Sequence, residues 1–339
     1  MAPSTRYSVA TRKSQRLVSS TSPTINNSTN SRDGEQGAPE GNAKKRGLPI
    51  TSTADYGDDD ADDPLADRIL QGLTERADKK TKAWFTNYVK GTIWIGCKVP
   101  VVRSTIQQIL KQQQEGKTAS TRKTKKSKAA SKQSPVGDSI LMDNAICLLQ
   151  HQACDAKLAG MILLSEHYPR PLLASHETLD RFDRDLWKDP TIISDWSTAD
   201  WFSNKVLGKI VFHDHVDNSL QQRVFDYAHL SQASLWQRRC GIVPFLQYHK
   251  HSDAMPPDFG AQLMGACEAN LLTSPRERFT QTGIAWVLRY VLLLPSQDGQ
   301  LALDFICRHG AVWTTEAKKS FCEKLPKSDP RRKKILGFS

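Results

Sequence analysis

Residues 278–289 read Arg-Phe-Thr-Gln-Thr-Gly-Ile-Ala-Trp-Val-Leu-Arg and form one of five clusters that are each predicted to start a helix. The other clusters begin at Asp155, Trp196, Trp236 and Trp313, so that successive clusters lie 41, 40, 42 and 35 residues apart. A single helix pair cannot bury its own apolar face, and an array of similar pairs stacked side by side can. The spacing therefore predicts a chain of repeating helix pairs.

The apolar pattern outside these clusters is also helical. Leu65, Ile69 and Leu73 recur every four residues, and we expect Trp84, Tyr88 and Val89 to continue that apolar face. Helical periodicity resumes from residue 137, and no strand-like alternation of any length occurs. A period of about 40 residues without strands is typical of HEAT and armadillo arrays. We predict an all-α, HEAT-like repeat solenoid, an α-α superhelix.

Composition divides the chain into a folded domain with basic and polar flanks. Residues 1–63 have few large apolar residues and are predicted to be a disordered tail. The repeat domain is predicted over residues 64–325, interrupted by a flexible basic insertion at 113–136. A basic C-terminal tail is predicted at 326–339.

Charge and cysteine usage limit the class of protein. The net charge is +11, but residues 136–316 carry −6, so basicity alone is weak support for a polyanionic partner. No apolar run reaches the ~18 residues of a membrane helix, which favours a soluble protein without membrane contact. The seven cysteines form no C-x-x-C pair and are expected to be reduced core residues, with neither disulfides nor a zinc site.

Four short segments carry the residues of chemical interest. They are Asp195-Trp196-Ser197-Thr198-Ala199-Asp200 with Trp201 and Leu207-Gly208, Leu235-Trp236-Gln237-Arg238-Arg239, the stretch 279–289, and Trp94–Pro100 with Arg103. Taken singly, each has a structural explanation. A tryptophan at a helix start usually packs, an aspartate in the first turn favours the helix dipole, and an arginine pair is usually solvated or ion-paired.

Taken together, the segments resemble the AlkD-like DNA alkylation repair family in both order and spacing. That family has W-D-x-x-D followed by L-G, then W-L-x-R, then F-I-Q-K-A-I-G-W-x-L-R. The corresponding stretches here are W-S-T-A-D, W-Q-R-R and F-T-Q-T-G-I-A-W-V-L-R. The resemblance runs from about residue 80 to 325, and it departs from the family at Ser197, where the family has Asp.

The resemblance implies a DNA glycosylase that excises N3- or N7-alkylated purines from duplex DNA. By position, Asp200, Trp196 and Trp286 match catalytic-cleft residues of the family, and Arg239 matches a residue that would grip a phosphate near the lesion. We expect Arg238, Lys90 and Lys98 to be further DNA-binding residues. The substrate would be double-stranded DNA with alkylated bases, held by a monomer.

The implied chemistry needs few groups. A purine alkylated at N3 or N7 is a cation, so it can leave as a neutral base without a general acid, and one carboxylate can suffice where sugar hydrolases need two. No metal or cofactor is expected. The pairs His213-Asp214-His215 and His249-Lys250-His251 are poor chelators on a helix, because their histidines point about 200° apart.

Two alternatives stay open from the sequence. The chain could be a non-catalytic HEAT-like repeat protein that binds DNA or protein, because a fold does not fix a function. For localisation, the cluster Arg122-Lys123-Thr124-Lys125-Lys126-Ser127-Lys128 indicates the nucleus. The first 32 residues contain arginines and no acid, so they would also suit a mitochondrial or plastid transit peptide.

Overall fold

A computed structural model describes residues 64–121, 136–213, 218–229 and 233–337. The tail predicted at 1–63 and the basic cluster 122–128 lie outside the described residues. Within them the regular structure is helical, and one isolated parallel bridge joins Ile93 to Ala153. No helix in this part of the chain is both long and apolar enough to cross a membrane.

The described residues form seventeen α-helices, numbered here in chain order. They are α1 Leu65–Glu75, α2 Lys79–Tyr88, α3 Val99–Thr121, α4 Val136–Gln150, α5 Cys154–Ile162, α6 Arg170–Leu173, α7 His176–Asp185, α8 Trp196–Trp201, α9 Gly208–Val211, α10 Asn218–His229, α11 Leu235–Cys240, α12 Tyr248–His251, α13 Phe259–Thr273, α14 Arg278–Val291, α15 Gln297–Arg308, α16 Thr315–Phe321 and α17 Pro330–Leu336.

The predicted repeat is confirmed. Helices α5, α8, α11, α14 and α16 begin at residues 154, 196, 235, 278 and 315, each within two residues of a predicted cluster. Each of these five helices packs against the next, and α10, α13 and α15 pack in succession as a second layer. One apolar core runs between the layers from Leu65 to Ile335. The protein is an all-α, HEAT-like solenoid.

Side-chain caps explain why four of these helices start where they do. Asp195, Ser234, Glu277 and Thr314 each stand one residue before a helix and accept a hydrogen bond from a backbone N–H of its first turn. Such caps satisfy donors that have no partner within the helix. The caps therefore fix the residue at which α8, α11, α14 and α16 begin, and with it the direction in which the motif side chains point from each helix.

Two helices of the first layer, α5 and α8, continue directly into π-helical turns. Helix α5 continues as Leu163–His167, and α8 continues as Phe202–Leu207. A π-turn inserts one residue and rotates the side chains that follow it, and such turns are frequent at functional sites. The second π-turn begins two residues after Asp200.

Four sequence predictions differ from the structure. Cys147 is exposed, so the prediction that all seven cysteines are core residues is wrong at this position. Trp84 and Tyr88 do not pack in the core, because each is 58% exposed. The break predicted at residue 113 is wrong at its start, since α3 continues to Thr121. The predicted C-terminal tail contains α17, which buries Ile335 completely and packs against α15 and α16.

Candidate active site

A cleft of about 450 Å³ opens between α2, α8 and α14. Trp196 and Asp200 lie on the same face of α8 because they are four residues apart. Trp286 of α14 lines the same cleft. The remaining lining comes from α2, from the segment that follows it, from α8 itself and from the π-turn after α8: Trp84, Phe85, Tyr88, Val89, Trp94, Ser197, Trp201, Asn204 and Lys205.

Asp200 forms a bidentate ion pair with Arg239 at the cleft wall. The Arg239 Nε and Nη2 atoms donate to the two carboxylate oxygens at 2.7 and 3.0 Å. Arg239 is only 5% exposed and also donates from Nη1 to the Phe279 carbonyl, whereas the Asp200 side chain retains 15% exposure. The guanidinium therefore fixes the orientation of the carboxylate from the protein side, and one edge of the carboxylate stays exposed to the cleft.

Two effects act in opposite directions on the pKa of Asp200. Burial raises the pKa of this carboxyl above its ordinary value, because the charged form loses hydration. The hydrogen bonds and the positive charge of Arg239 act to lower the same pKa. The Asp200 carboxyl thus lies in a poorly hydrated site and has Arg239 as its cationic partner.

Residues of the 279–289 motif build the support behind this pair. Gly283 lies against the guanidinium, and a Cβ added there would stand 2.6 Å from Arg239 Nη1. The family motif has Ala at this position and Gly at 285, so the two small residues are exchanged in this chain. Gln281 is fully buried and donates to the carbonyls of Pro275 and Val312 at 2.6 and 3.0 Å. The glutamine is therefore a structural clamp between helix starts.

The far wall of the cleft is anchored by Asp155. Its buried carboxylate accepts hydrogen bonds from the backbone N–H groups of Ile95, Gly96 and Cys97 at 2.5, 3.1 and 3.3 Å. Gly96 has φ = +120°, and an added Cβ would lie 2.7 Å from the Asp78 carbonyl oxygen. Only glycine fits both constraints. These contacts hold the preceding residue, Trp94, in the wall.

A protein-family model described as DNA alkylation repair enzyme matches residues 69–325. The chain belongs to this family of DNA alkylation repair enzymes. The matched range includes every residue that lines the cleft. No curated protein sequence matches the chain significantly.

The structure brings four of the predicted site residues of this repair-family protein together. Asp200, Trp196 and Trp286 line one cleft, and Arg239 holds Asp200. Arg238 points elsewhere, because its guanidinium donates to the Ala233 carbonyl and the Ser274 hydroxyl and is 8% exposed as a residue.

Lys90 and Lys98 are exposed at the ends of the segment that joins α2 to α3, and neither lines the cleft. The DNA contacts expected for these two lysines, for Arg238 and for Arg239 stay predictions. The two arginines would have to exchange their present hydrogen bonds to reach a phosphate. Lys205, which sequence reasoning did not select, lines the cleft with its Nζ 5.8 Å from the Trp201 ring centroid.

Sequence reasoning also missed two aromatic side chains at the cleft edge. Trp84 and Tyr88 are stacked with ring centroids 4.9 Å apart, and Tyr88 meets Trp196 edge-on at 5.5 Å. A signal for them was present in residues 79–90, where four lysines flank three aromatic residues. A segment that combines basic and aromatic side chains is common on surfaces that bind nucleic acid.

An apolar recess adjoins the cleft behind Ser197 in this enzyme-family fold. The recess shares Phe85, Trp94, Ser197 and Trp201 with the cleft and continues between Cys97, Val99, Cys154, Leu158, Met161 and Thr198. Ser197 occupies the position at which the family has Asp. A neutral hydroxyl therefore borders the recess where the family would place a charge.

Metal ligands do not gather in the part of the chain that the structure describes: no three His, Cys, Asp or Glu side chains there are grouped to hold an ion. Of the pair around residue 214, Asp214 and His215 lie outside that part. His249 and His251 are each engaged with an aromatic ring instead, stacking on Tyr290 and Phe212 respectively.

Proposed function

We propose that the chain is a DNA glycosylase that hydrolyses the N-glycosidic bond of N3- or N7-alkylated purines in duplex DNA. One observation carries the proposal. Among the described residues, the cleft of this DNA alkylation repair family member contains a single carboxylate, Asp200, clamped by Arg239 and flanked by Trp196 and Trp286. A scaffold that only bound polyanionic DNA would gain no affinity from a carboxylate that lines the cleft.

The reaction needs stabilisation of a positive charge that moves from base to sugar. When the bond from C1′ to the purine nitrogen breaks, its electron pair leaves with the base, which becomes neutral, and the sugar becomes an oxocarbenium ion. The Asp200 carboxylate stabilises this cation and orients a water molecule toward C1′. The water adds to C1′ and releases a proton, and the products are a free base and an abasic sugar.

The two tryptophans act on the cationic ground state and on the sugar. An indole face attracts a cation by about 0.5–2 kcal/mol, more where water is excluded. Trp196 and Trp286 belong to helices α8 and α14 on either side of Arg239. They hold the lesion nucleotide beside Asp200. A dedicated general acid is not needed, because the cationic purine leaves as a neutral base.

Arg239 is best assigned as a positioning residue. Three of its nitrogen atoms already donate to Asp200 and Phe279, and the residue is almost completely buried. Holding both carboxylate oxygens fixes the plane of the carboxyl group before substrate arrives. Electrostatic stabilisation of this preorganised kind is often the largest contribution to catalysis. The phosphate contacts of the DNA then fall to the exposed Lys90 and Lys98 and to the half-buried Lys205 at the cleft.

The test is base release from methylated duplex DNA by the purified wild type and by Asp200→Asn. The substitution keeps the size of the side chain and removes its charge. Single-turnover release should fall by about 10²–10³, equivalent to ~3–4 kcal/mol. Affinity for the alkylated duplex should stay equal or increase slightly, because a carboxylate near phosphates opposes binding.

Two outcomes would reject this proposal. Release by Asp200→Asn at the wild-type rate would make Asp200 a structural partner of Arg239 only. If the wild type released no base from N3- or N7-methylated duplex, the protein would instead be a non-catalytic HEAT-like repeat protein of the same family.

A further inference from the structure

Helix α2 presents an exposed aromatic pair at the edge of the cleft. Trp84 and Tyr88 are one helical turn apart, 58% exposed each, and stacked at 4.9 Å with an interplanar angle of 15°. Large aromatic residues are seldom left open to water without a partner. Beneath them, Phe85 of the same helix and Val89 directly after it pack against Trp94 and fix α2 to the rest of the wall.

Helix α2 and the two residues that follow it carry a concentrated positive charge. Lys79, Lys80, Lys82 and Lys90 are all exposed, and none forms a salt bridge within the described residues. The one carboxylate of residues 77–90 is Asp78, which is engaged as the N-cap of α2 through the Thr81 backbone at 2.7 Å. The partner of this surface should therefore be anionic and should also have flat apolar faces.

The geometry ties this surface to the cleft. Tyr88 meets Trp196 edge-on at 5.5 Å, so aromatic side chains run without a gap from Trp196 to Tyr88 and on to Trp84. The outer face of Trp84 is the end of this series. A base that leaves the duplex at the cleft could stack on that face and extend the Tyr88–Trp84 pair by one ring.

We propose that α2 is a stacking platform for an unpaired nucleobase, with Trp84 and Tyr88 holding the base and Lys79, Lys80 and Lys82 holding the adjoining phosphates. This inference rests on the proposed function only in taking DNA as the ligand. It assigns to α2 the recognition of a base that is out of the helix, whatever happens to the glycosidic bond. Aromatic stacking suits this task because it accepts any base.

The experiment measures binding without catalysis. The full-length protein is titrated with a duplex in which 2-aminopurine faces a tetrahydrofuran abasic analogue, and with the same duplex in which 2-aminopurine is paired with thymine. The wild type should prefer the unpaired duplex and quench its 2-aminopurine fluorescence. Trp84→Ala should weaken binding to the unpaired duplex by about 5- to 100-fold, the usual effect of losing one stacked aromatic ring. Binding to the paired duplex should change little.

Three variants make the result specific. Trp84→Phe keeps a ring and should restore most of the preference, which excludes a loss of folding as the cause. Leu272→Ala removes a 66% exposed apolar side chain from α13 and should change neither affinity. Replacing Lys79, Lys80 and Lys82 with Gln should weaken binding to both duplexes equally. It should also lower the slope of log K against log salt by about 0.9 for each phosphate that is no longer neutralised.

If Trp84→Ala lost equal affinity for both duplexes, or if the wild type did not quench the 2-aminopurine fluorescence, the proposed stacking platform would be rejected. Lysine substitutions that left both affinities unchanged would also reject it. Base release from methylated duplex is measured in parallel. A preference for the unpaired duplex in a protein that releases no base would support the platform and reject the glycosylase, and release without that preference would do the reverse.

Discussion

At the scale of single residues, the ion pair between Asp200 and Arg239 decides what the cleft can do. Breaking a buried pair by removing one partner typically costs 3–5 kcal/mol, because the other charge stays buried alone. The pair is therefore sensitive to substitution for reasons of stability as well as catalysis. Experiments on it need a readout that separates the two effects.

The pH profile of Arg239→Ala provides such a readout. In the proposed reaction Asp200 must be ionised to stabilise the sugar cation, so base release should be lost as the pH falls through the pKa of Asp200. Arg239 lowers that pKa, and burial raises it. Without Arg239 only the raising effect remains, and the acid limb of the single-turnover rate should move to higher pH.

Arg239→Lys is the control, because it keeps a positive charge and loses the bidentate geometry. Its acid limb should lie between those of the wild type and Arg239→Ala. An acid limb at the same pH in all three proteins would mean that a group other than Asp200 titrates.

Trp286 and Trp313 offer a matched pair of tryptophans. Trp286 is partly exposed in the cleft, whereas Trp313 is 4% exposed and donates its indole N–H to the Ile306 carbonyl at 2.9 Å. Trp286→Ala should slow base release by about 3- to 30-fold through loss of the cation–π contact. Trp313→Ala should instead lower the free energy of unfolding by about 3–5 kcal/mol.

Urea denaturation and single-turnover release would be measured for both tryptophan variants. The folded fraction of Trp313→Ala should excise at the wild-type rate. If Trp286→Ala proved as unstable as Trp313→Ala and released base normally once folded, Trp286 would be a packing residue and its place in the site would be lost.

At the scale of elements, the site depends on how helix starts are tied to one another. Gln281 of α14 donates to the Pro275 carbonyl before α14 and to the Val312 carbonyl before α16. It also accepts a hydrogen bond from the Thr314 backbone N–H at 2.7 Å, so α14 is joined to the start of α16. Asp155 at the start of α5 does the same for the segment 95–97. The motif residues thus include clamps as well as candidate catalytic groups.

Asp155→Ala should be among the most damaging substitutions away from Asp200. It leaves three backbone N–H groups without their acceptor, and each unsatisfied buried donor costs about 1–3 kcal/mol. We expect the free energy of unfolding to fall by about 3 kcal/mol or more in urea denaturation. Asp155→Asn, which keeps one acceptor oxygen, should lose less. A loss below about 1 kcal/mol in Asp155→Ala would show that water replaces the carboxylate.

At the scale of the whole molecule, positive charge is distributed unevenly. Residues 136–316 carry −6, whereas the segment 68–111 carries +7 and the segment 112–135 carries +6. The C-terminal segment 317–339 also carries +6, but part of its charge has a structural use. Arg331 donates to the Leu292 carbonyl at 2.5 Å, and Arg332 donates to the Leu325 carbonyl at 3.0 Å. These bonds hold helix α17 against the segments that follow α14 and α16.

The basic residues of 122–132 should contribute affinity and not rate. Replacing the six of them with Gln is expected to weaken binding to any duplex and to lower the slope of log K against log salt by about 0.9 for each phosphate that they neutralise in the wild type. Those six are Arg122, Lys123, Lys125, Lys126, Lys128 and Lys132. Single-turnover release at saturating protein should barely change. A large fall in that rate would place this segment in the active site.

Local sequence signals were sufficient for much of this protein. Repeating apolar spacing and helix-start clusters about 40 residues apart predicted the helix starts and the repeat length before any contact was known. The structure shows that caps such as Asp195 and Glu277 act within a few residues of chain, so these helix starts are determined locally. Motif order indicated the family and selected Asp200, Trp196, Trp286 and Arg239. These residues do meet, because the repeats bring their helix starts side by side.

Only the tertiary structure decided which aromatic faces meet water and which charges meet each other. Trp84 and Tyr88 have the spacing of a core stripe, and they are exposed because the apolar packing here uses another face, with Phe85 of α2 and Val89 just after it. The resemblance implied that Arg239 grips a phosphate, and in the structure its guanidinium is occupied because α11 packs beside α8 and brings Asp200 within 2.7 Å. Such contacts join residues about 40 positions apart, and their geometry depends on packing angles between helices that no local pattern encodes.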